Sequence, residues 1–247
     1  MHTANPALSS DPFSSVTAYP GAAVMTVQGT AYKTILLLLL CLATASYTWS
    51  LFFKSGYSAV LPWLWIGLIG GLVVALVTIF ASKAAPYTAP LYALLEGLAL
   101  GGISSAINLS YPGIAIQAVS LTFATMLAML LAYASHLIKV TNRFRFIVVA
   151  ATGGIFLAYL VSFILSLFHV YVPFIYGNSL GSLLFSIVVV IIAALNLVLD
   201  FDFIARGAEY GAPKYLEWYG AFALMVTLVW LYIEILRLLA ISRSRQR

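Results

Sequence analysis

The chain has 247 residues, of which 63% are hydrophobic and only 8% are charged, whereas about 25% of the residues in an ordinary soluble domain are charged. This composition excludes a water-soluble fold and predicts an integral protein of the lipid bilayer. The net charge of +5 does not indicate a nucleic-acid partner, because the basic residues flank apolar runs, where Lys and Arg set topology and contact lipid headgroups.

Residues 1–30 are predicted to form a flexible N-terminal tail. They are rich in Pro, Ser, Ala and Thr and contain the single acid Asp11 and no Lys or Arg, so they lack the positive region of a secretory signal peptide. The apolar run that follows is long enough to be an uncleaved first span. We assign residues 31–240 to a membrane domain and residues 241–247 to a basic C-terminal tail.

Breaks that contain Pro, Gly, Lys or Arg divide the membrane domain into apolar runs, each near the roughly 20 residues that a helix needs to cross the hydrocarbon core. The predicted spans cover residues 32–53, 61–82, 88–109, 114–138, 146–169, 179–203 and 217–240. Because the connections are short, consecutive helices should be antiparallel. The predicted fold is therefore an all-α bundle of seven transmembrane helices.

Seven spans place the two termini on opposite sides of the membrane, and the distribution of Lys and Arg favours one orientation. The side of the N-terminus collects most of the basic residues: Lys33, Lys83, Lys139, Arg143, Arg145, Arg206 and Lys214. The other side has Lys54 and the arginines of the C-terminal end. The connections therefore predict a cytoplasmic N-terminus, although the basic C-terminal end favours the reverse orientation.

Glu96 lies in the middle of the third span, in a segment that contains no Lys or Arg. An ionisable side chain inside a membrane costs a few kcal/mol and is a functional candidate by default. We predict that Glu96 is buried and faces the bundle interior, where it is either protonated or hydrogen-bonded to a neighbouring helix.

Asp200 and Asp202 end the sixth apolar run and are two residues apart. On an α-helix this separation is a rotation of about 200°, so the two carboxylates face opposite sides. Asn196 is one turn before Asp200 and shares its face, which makes Asp200 the inward candidate. Asp202 has Arg206 at i+4, a spacing suited to an ion pair on the helix surface. We expect Asp200, and not Asp202, to bind a cation or a proton.

Two further acids belong to the seventh span. Glu234 lies near its outward end, three residues before Arg237, and this spacing predicts an interfacial ion pair whose side chains reach the lipid headgroups. Glu217 begins the span beside Trp218 and Tyr219. We interpret it as an acid at a helix start next to an aromatic belt.

Patterns for catalysis or metal binding are weak. The histidines at positions 2, 136 and 169 are scattered, and the single cysteine, Cys41, lies in the first span, so neither a zinc site nor a disulfide is indicated. The segment "GGISS" (residues 101–105) is too loose a pattern for intramembrane serine proteolysis. The last span has no Lys that could form a retinal Schiff base. We predict no enzyme activity and no cofactor other than a calcium ion.

Two stretches, "YALLEGLALGGIS" in the third span and "LVLDFDFIARG" at the end of the sixth, and the aromatic-rich last helix ending in "LYIEILRLL", resemble the transmembrane Bax inhibitor motif family, particularly its bacterial branch. The resemblance covers residues 25 to 240. It implies a seven-helix bundle of the bacterial inner membrane whose last helix is enclosed by the others. It also implies a pH-sensitive leak for calcium or other cations.

The resemblance further implies a role for Asp200. In the family, an aspartate of the sixth span pairs with an aspartate of the seventh, and the two share a proton. Matching the motif's isoleucine to Ile204 places Asp200 at the first position, in agreement with the helical-face argument. Counting back from Arg237, the second aspartate falls near Thr227, so the pair is incomplete here. Glu96 is the spare carboxylate, if the third span approaches the sixth.

The sequence leaves two functions of different classes open. The first is a cation leak channel or conduit with Asp200 as the gate carboxylate and Glu96 as a second acid, since oxygen ligands suit calcium and acidic constrictions select cations. The second, which the resemblance also allows, is a regulatory protein that binds another membrane protein, such as a membrane-bound protease. A proton-coupled transporter of small molecules is less favoured, because no broken helix is predicted.

Overall fold

The computed structural model describes residues 23–170, 172, 175, 177 and 179–245 of the chain. The long helices in this part are α1 (Val27–Ser55), α2 (Tyr57–Phe80), α3 (Ala85–Ser110), α4 (Ile114–Ala134), α5 (Asn142–Leu167), α6 (Leu180–Glu209) and α7 (Leu216–Ser244). All seven are long and apolar enough to cross a membrane. The predicted all-α bundle of seven transmembrane helices is confirmed.

Side-chain caps determine where three of the helices begin. The side chains of Thr26, Thr141 and Ser179 precede α1, α5 and α6, and each accepts a hydrogen bond from the backbone N–H three residues later, at 2.9, 3.1 and 3.2 Å. Such caps satisfy backbone donors that the helix itself leaves unpaired. The helices α1 and α5 consequently start before the predicted spans. At its other end, α6 continues to Glu209, past the predicted end at residue 203.

The ends of the membrane domain also differ from those predicted. Val24, assigned to the tail, forms an antiparallel bridge with Pro213, and the neighbouring Met25 is buried and donates its N–H to the carbonyl of Ala212 at 2.7 Å. At the other end, α7 runs to Ser244, beyond the predicted boundary at residue 240. Residues 1–22 and 246–247 of the two predicted tails lie outside the described residues.

The last helix, α7, occupies the centre of the bundle. It packs against α1, α3, α4 and α6, and its buried side chains include Ala221, Met225 and Leu231. The helices α2 and α5 lie at the periphery and expose large apolar side chains such as Ile69 and Phe156. In a bilayer these faces contact acyl chains, because lipid is the solvent for the outer surface of a helical membrane protein.

Glycines bring α1 and α3 unusually close together. A Cβ atom at Gly97 would collide with the Thr44 side chain and the Cys41 carbonyl, and one at Gly101 would collide with the Thr48 side chain. Small residues at such crossings allow transmembrane helices to approach at backbone distance. These glycines therefore pack α3 on α1.

Candidate functional site

Asp200 lies within α6, on the face that meets α7. Its Oδ2 atom is buried and has no hydrogen-bond partner among the described residues, and the ion pairs found there do not include it. The side chain that faces its carboxyl group is that of Thr227 of α7, which lies close enough to interact with it. An unpartnered polar atom in a buried site is energetically costly. Binding a proton or a cation would relieve that cost.

The structure brings Asp200 together with Thr227, the residue that the family motif places near the missing second aspartate. The Thr227 hydroxyl also lies 3.3 Å from the carbonyl oxygen of Ala223 in its own helix. A hydroxyl can donate a hydrogen bond to a carboxylate, but it cannot share a titrating proton as a second carboxyl group would. The pair is therefore one carboxyl group and one hydroxyl group.

Asn196 does not join Asp200. Its Nδ2 atom donates to Thr152 Oγ1 of α5 at 2.8 Å and to the carbonyl of Ile192 at 2.8 Å. The two residues are one turn apart, yet Asn196 is directed to α5 and Asp200 to α7. The common site expected from their helical face is not formed, because a face of α6 is wide enough to meet two neighbouring helices.

Asp202 pairs with Arg206, as the i+4 spacing predicts, at 2.8 Å. The placement of this pair on the outer helix surface is wrong, because Asp202 is buried with only 9% exposure. Its Oδ2 atom also accepts a hydrogen bond from Arg145 of α5 at 2.9 Å. Asp202 therefore joins two helices through two arginines, which is a structural task separate from that of Asp200.

Glu96 is half-buried where α3 meets α1 and α2. Its carboxyl group contacts the Tyr92 hydroxyl, lies near Cys41 of α1, and comes so close to Gly71 of α2 that a Cβ there would be 2.8 Å from Oε2. The helix α3 packs on α1, α2 and α7 and makes little contact with α6. Glu96 therefore does not take the place of the second aspartate beside Asp200.

Glu234 is an interior residue, and its prediction as an interfacial group was wrong. It is only 4% exposed, accepts a hydrogen bond from Tyr159 Oη of α5 at 2.7 Å, and pairs with Arg237 at 3.4 Å. Arg237 also contacts Tyr159 and donates to the carbonyl of Ile175 at 2.7 Å. These groups link α7 to α5 and the segment after it, since enclosure of α7 turns both side chains inward.

Comparison with known protein families identifies a family whose match covers the whole bundle. The family model described as Bax inhibitor 1 like matches residues 5–244, which include all seven helices. The chain belongs to the Bax inhibitor 1 like family. Neither a curated protein nor a solved structure is significantly similar to it.

This Bax inhibitor 1 like protein has a further buried acid, Glu217, whose ion-pair partner was not predicted. Glu217 is fully buried, forms an ion pair with Lys33 of α1, and accepts hydrogen bonds from the N–H and the hydroxyl of Thr26, both at 2.9 Å. Gly29 leaves the room that its carboxylate occupies. The ion-pair partners are 184 positions apart in sequence. The one sequence feature that could have indicated this ion pair is that Lys33 and Glu217 both lie at the start of a predicted span, on the same predicted side of the membrane.

The described residues contain no group of three or more His, Cys, Asp or Glu side chains that could hold a metal ion. At Asp200 the protein offers one carboxyl group and the Thr227 hydroxyl, whereas calcium takes six to eight oxygen ligands. A calcium ion at Asp200 would therefore keep most of its ligands as water. This chemistry fits brief contact with a passing cation better than a resident metal centre.

Proposed function

We propose that this Bax inhibitor 1 like protein is a leak pathway for cations, with calcium as the main substrate and Asp200 as the carboxyl group that binds the cation or a proton. The observation that carries the proposal is the unpartnered Oδ2 atom of Asp200, buried where α6 meets the enclosed helix α7. The other buried acids of the sixth and seventh helices, Asp202, Glu234 and Glu217, have ion-pair partners.

A lone carboxyl group inside the bundle suits a gate. When it is ionised, it attracts cations and repels anions, as acidic constrictions of cation channels do. When it is protonated, it is neutral and no longer attracts a cation. Protons and cations therefore compete for the Asp200 carboxyl group, which makes the leak pH-sensitive. Glu96 is a second intramembrane acid at a separate location, where it acts independently of Asp200.

The test is calcium flux into liposomes that contain the purified full-length protein, measured between about pH 5 and pH 8, where buried carboxyl groups titrate. Asp200→Asn removes the proton acceptor and keeps the size of the side chain, so it should abolish most of the pH dependence. Glu209→Gln is the matched control, because Glu209 ends the same helix, is exposed and takes no part in the ion pairs of the described residues. A steep pH transition that Asp200→Asn leaves unaltered would refute the assignment.

The alternative function, regulation of another membrane protein, has one observation in its favour. The N-terminal tail enters the described part of the chain beside the α6–α7 connection, where Lys214 N–H donates to the carbonyl of Ala23 at 3.2 Å. The segment that precedes Ala23 is therefore joined to the bundle next to the α6–α7 connection. Deleting residues 1–22 tests this function without removing the packed residues that follow. Loss of partner binding with unchanged calcium flux would favour regulation over conduction.

A further inference from the structure

A cluster of cations lies where α5 begins and α6 ends. Arg145 in the first turn of α5 and Arg206 in the last turn of α6 both direct a guanidinium to Oδ2 of Asp202, at 2.9 and 2.8 Å. Two positive charges thus share one negative charge, and Arg206 Nε is buried without a hydrogen-bond partner. The ion pairs of the described residues do not include Glu209, the other acid at this helix end. The cluster therefore has an excess of positive charge and of hydrogen-bond donors.

This cluster is accessible to ligands and lies at the level of the membrane where α5 begins and α6 ends. The side chains of Arg145 and Arg206 are 35% and 26% exposed. The connection before α5 adds the exposed cation Lys139, and the first turn of α5 adds the exposed cation Arg143. Because α5 and α6 are membrane-spanning helices, their ends lie at the depth of the lipid headgroups. A ligand for these guanidiniums can therefore come from the bilayer itself.

Large apolar side chains accompany the cations. Leu137, in the connection between α4 and α5, is 81% exposed, and Phe146, next to Arg145, is 75% exposed. Guanidinium groups bind phosphate oxygens through short, charge-assisted hydrogen bonds, and exposed apolar side chains at the same level favour acyl chains. Together the two kinds of group match an anionic phospholipid better than a free anion, which would gain nothing from Leu137 and Phe146.

We propose that Arg145 and Arg206, with Lys139 and Arg143 beside them, bind the phosphate group of an anionic phospholipid in the leaflet on the side of the N-terminus. The phosphate supplies the negative charge that Asp202 alone does not. It also competes with Asp202 for the two guanidiniums that join α5 to α6. The site requires no conduction by the protein, so its failure and that of the proposed leak are separately observable.

The experiment titrates the purified full-length protein in detergent with phosphatidylglycerol or phosphatidylcholine, and native mass spectrometry gives the dissociation constant of each lipid. Wild-type protein should bind phosphatidylglycerol more tightly. Each cation near a membrane surface contributes about 1 kcal/mol to the attraction of anionic lipid, so Arg145→Gln and Arg206→Gln should each weaken binding about fivefold. Lys54→Gln, at the exposed end of α1, is the control and should bind as wild type does.

A fallback variant and a competitor complete the experiment. If Arg145→Gln or Arg206→Gln does not fold, Lys139→Gln tests the same site, because Lys139 is exposed in the connection that leads into α5, and the variant should weaken binding about twofold to fivefold. Inorganic phosphate is added as a competitor. Equal affinities for the two lipids, equal losses in Lys54→Gln and the cluster variants, or displacement of phosphatidylglycerol by an equal concentration of inorganic phosphate would each overturn the assignment.

Discussion

The carboxylate of Glu217 shows how an ionised group is accommodated at a buried position. Lys33 supplies the opposite charge and Thr26 supplies two hydrogen bonds, so the charge and most of the acceptor capacity of the carboxylate are satisfied. Lys33 also lies 5.3 Å above the ring of Trp218. Removal of one partner of a buried ion pair destabilises a protein strongly, because the remaining charge is then buried without a counter-charge.

We therefore expect Lys33→Gln to lower the free energy of unfolding by about 3–5 kcal/mol, because it leaves the Glu217 carboxylate buried without a counter-charge. The double variant Lys33→Gln/Glu217→Gln should recover most of the loss, since it removes the orphaned charge. Unfolding in detergent by denaturant titration measures both. Lys214→Gln, an exposed cation on the same side of the bundle, should stay within about 0.5 kcal/mol of wild type. A double variant no more stable than Lys33→Gln would contradict the ion-pair account.

Thr227 offers a second prediction at the residue scale. With one carboxyl group at the gate, proton binding is uncoupled, and the response of cation flux to pH should extend over more than about one pH unit. Thr227→Asp places a second carboxyl group against Asp200. Two carboxyl groups in one site cannot both ionise freely, so their titration is coupled. The flux of Thr227→Asp should therefore respond to pH in two separated steps, over a wider pH range than that of wild type. An identical pH profile in Thr227→Asn and Thr227→Asp would show that coupling is absent.

Glu96 provides a third prediction, independent of the gate. Glu96→Gln retains a group that can hydrogen-bond to Tyr92 and fits beside Gly71, so thermal stability should change by no more than about 1 kcal/mol. Conduction should change, because a titratable group inside the membrane is lost. Liposome flux and thermal unfolding are measured for Glu96→Gln and Glu96→Leu. If both variants match wild type in both measurements, Glu96 has no part in conduction.

At the scale of helices, close packing can be tested against an internal control. Gly97→Ala directs a methyl group into the Cys41 carbonyl and the Thr44 side chain, and the backbone atom cannot move aside. Overpacking of this kind costs about 1–3 kcal/mol. Gly153→Ala and Gly154→Ala add the same methyl group to α5, where no atom lies within 4 Å, so they should be neutral or up to about 1 kcal/mol stabilising. Equal stabilities of Gly97→Ala and Gly153→Ala would refute the close α1–α3 contact.

The helices were predictable from the sequence because hydropathy along the chain reports the bilayer directly. The ends of the helices were less predictable. Caps such as Thr26 and Thr141 lie outside the apolar runs and extend the helices beyond the length needed to cross the bilayer. The Asp202–Arg206 pair was predictable because i+4 neighbours meet on any helix. The contacts of Asp202 with Arg145 and of Glu234 with Tyr159 were not, because they depend on which helices become neighbours.

At the scale of the whole molecule, enclosure of α7 explains why its acids differ from surface acids. Four helices surround it, so Glu217 and Glu234 are buried and find partners on other helices. Tyr232 of α7 likewise hydrogen-bonds Ser104 of α3 at 2.7 Å. These polar contacts hold the central helix to α1, α3 and α5 at several points along its length.

The orientation of the bundle is the last prediction. Several cations that argued for a cytoplasmic N-terminus are neutralised in the structure, since Lys33, Arg145 and Arg206 have acidic partners. Arg237, which argued for the reverse, is likewise paired with Glu234. Positive charge is therefore neutralised on both sides. Among the described residues, the ion pairs leave out Lys83, Lys139, Arg143 and Lys214, which all lie on the side of the N-terminus. The positive-inside rule therefore still predicts that this side is cytoplasmic.

Single cysteines can test this orientation, because Cys41 is buried at 8% exposure and should not react. Lys54 and Lys214 are both exposed and lie at opposite ends of the bundle, so Lys54→Cys and Lys214→Cys report the two faces. In intact cells a membrane-impermeant maleimide should label Lys54→Cys at once and Lys214→Cys only after permeabilisation. Wild-type protein should remain unlabelled in both conditions. The reverse pattern would place the N-terminus outside, and with it the Arg145–Arg206 cluster, because that cluster and Lys214 lie on the same face.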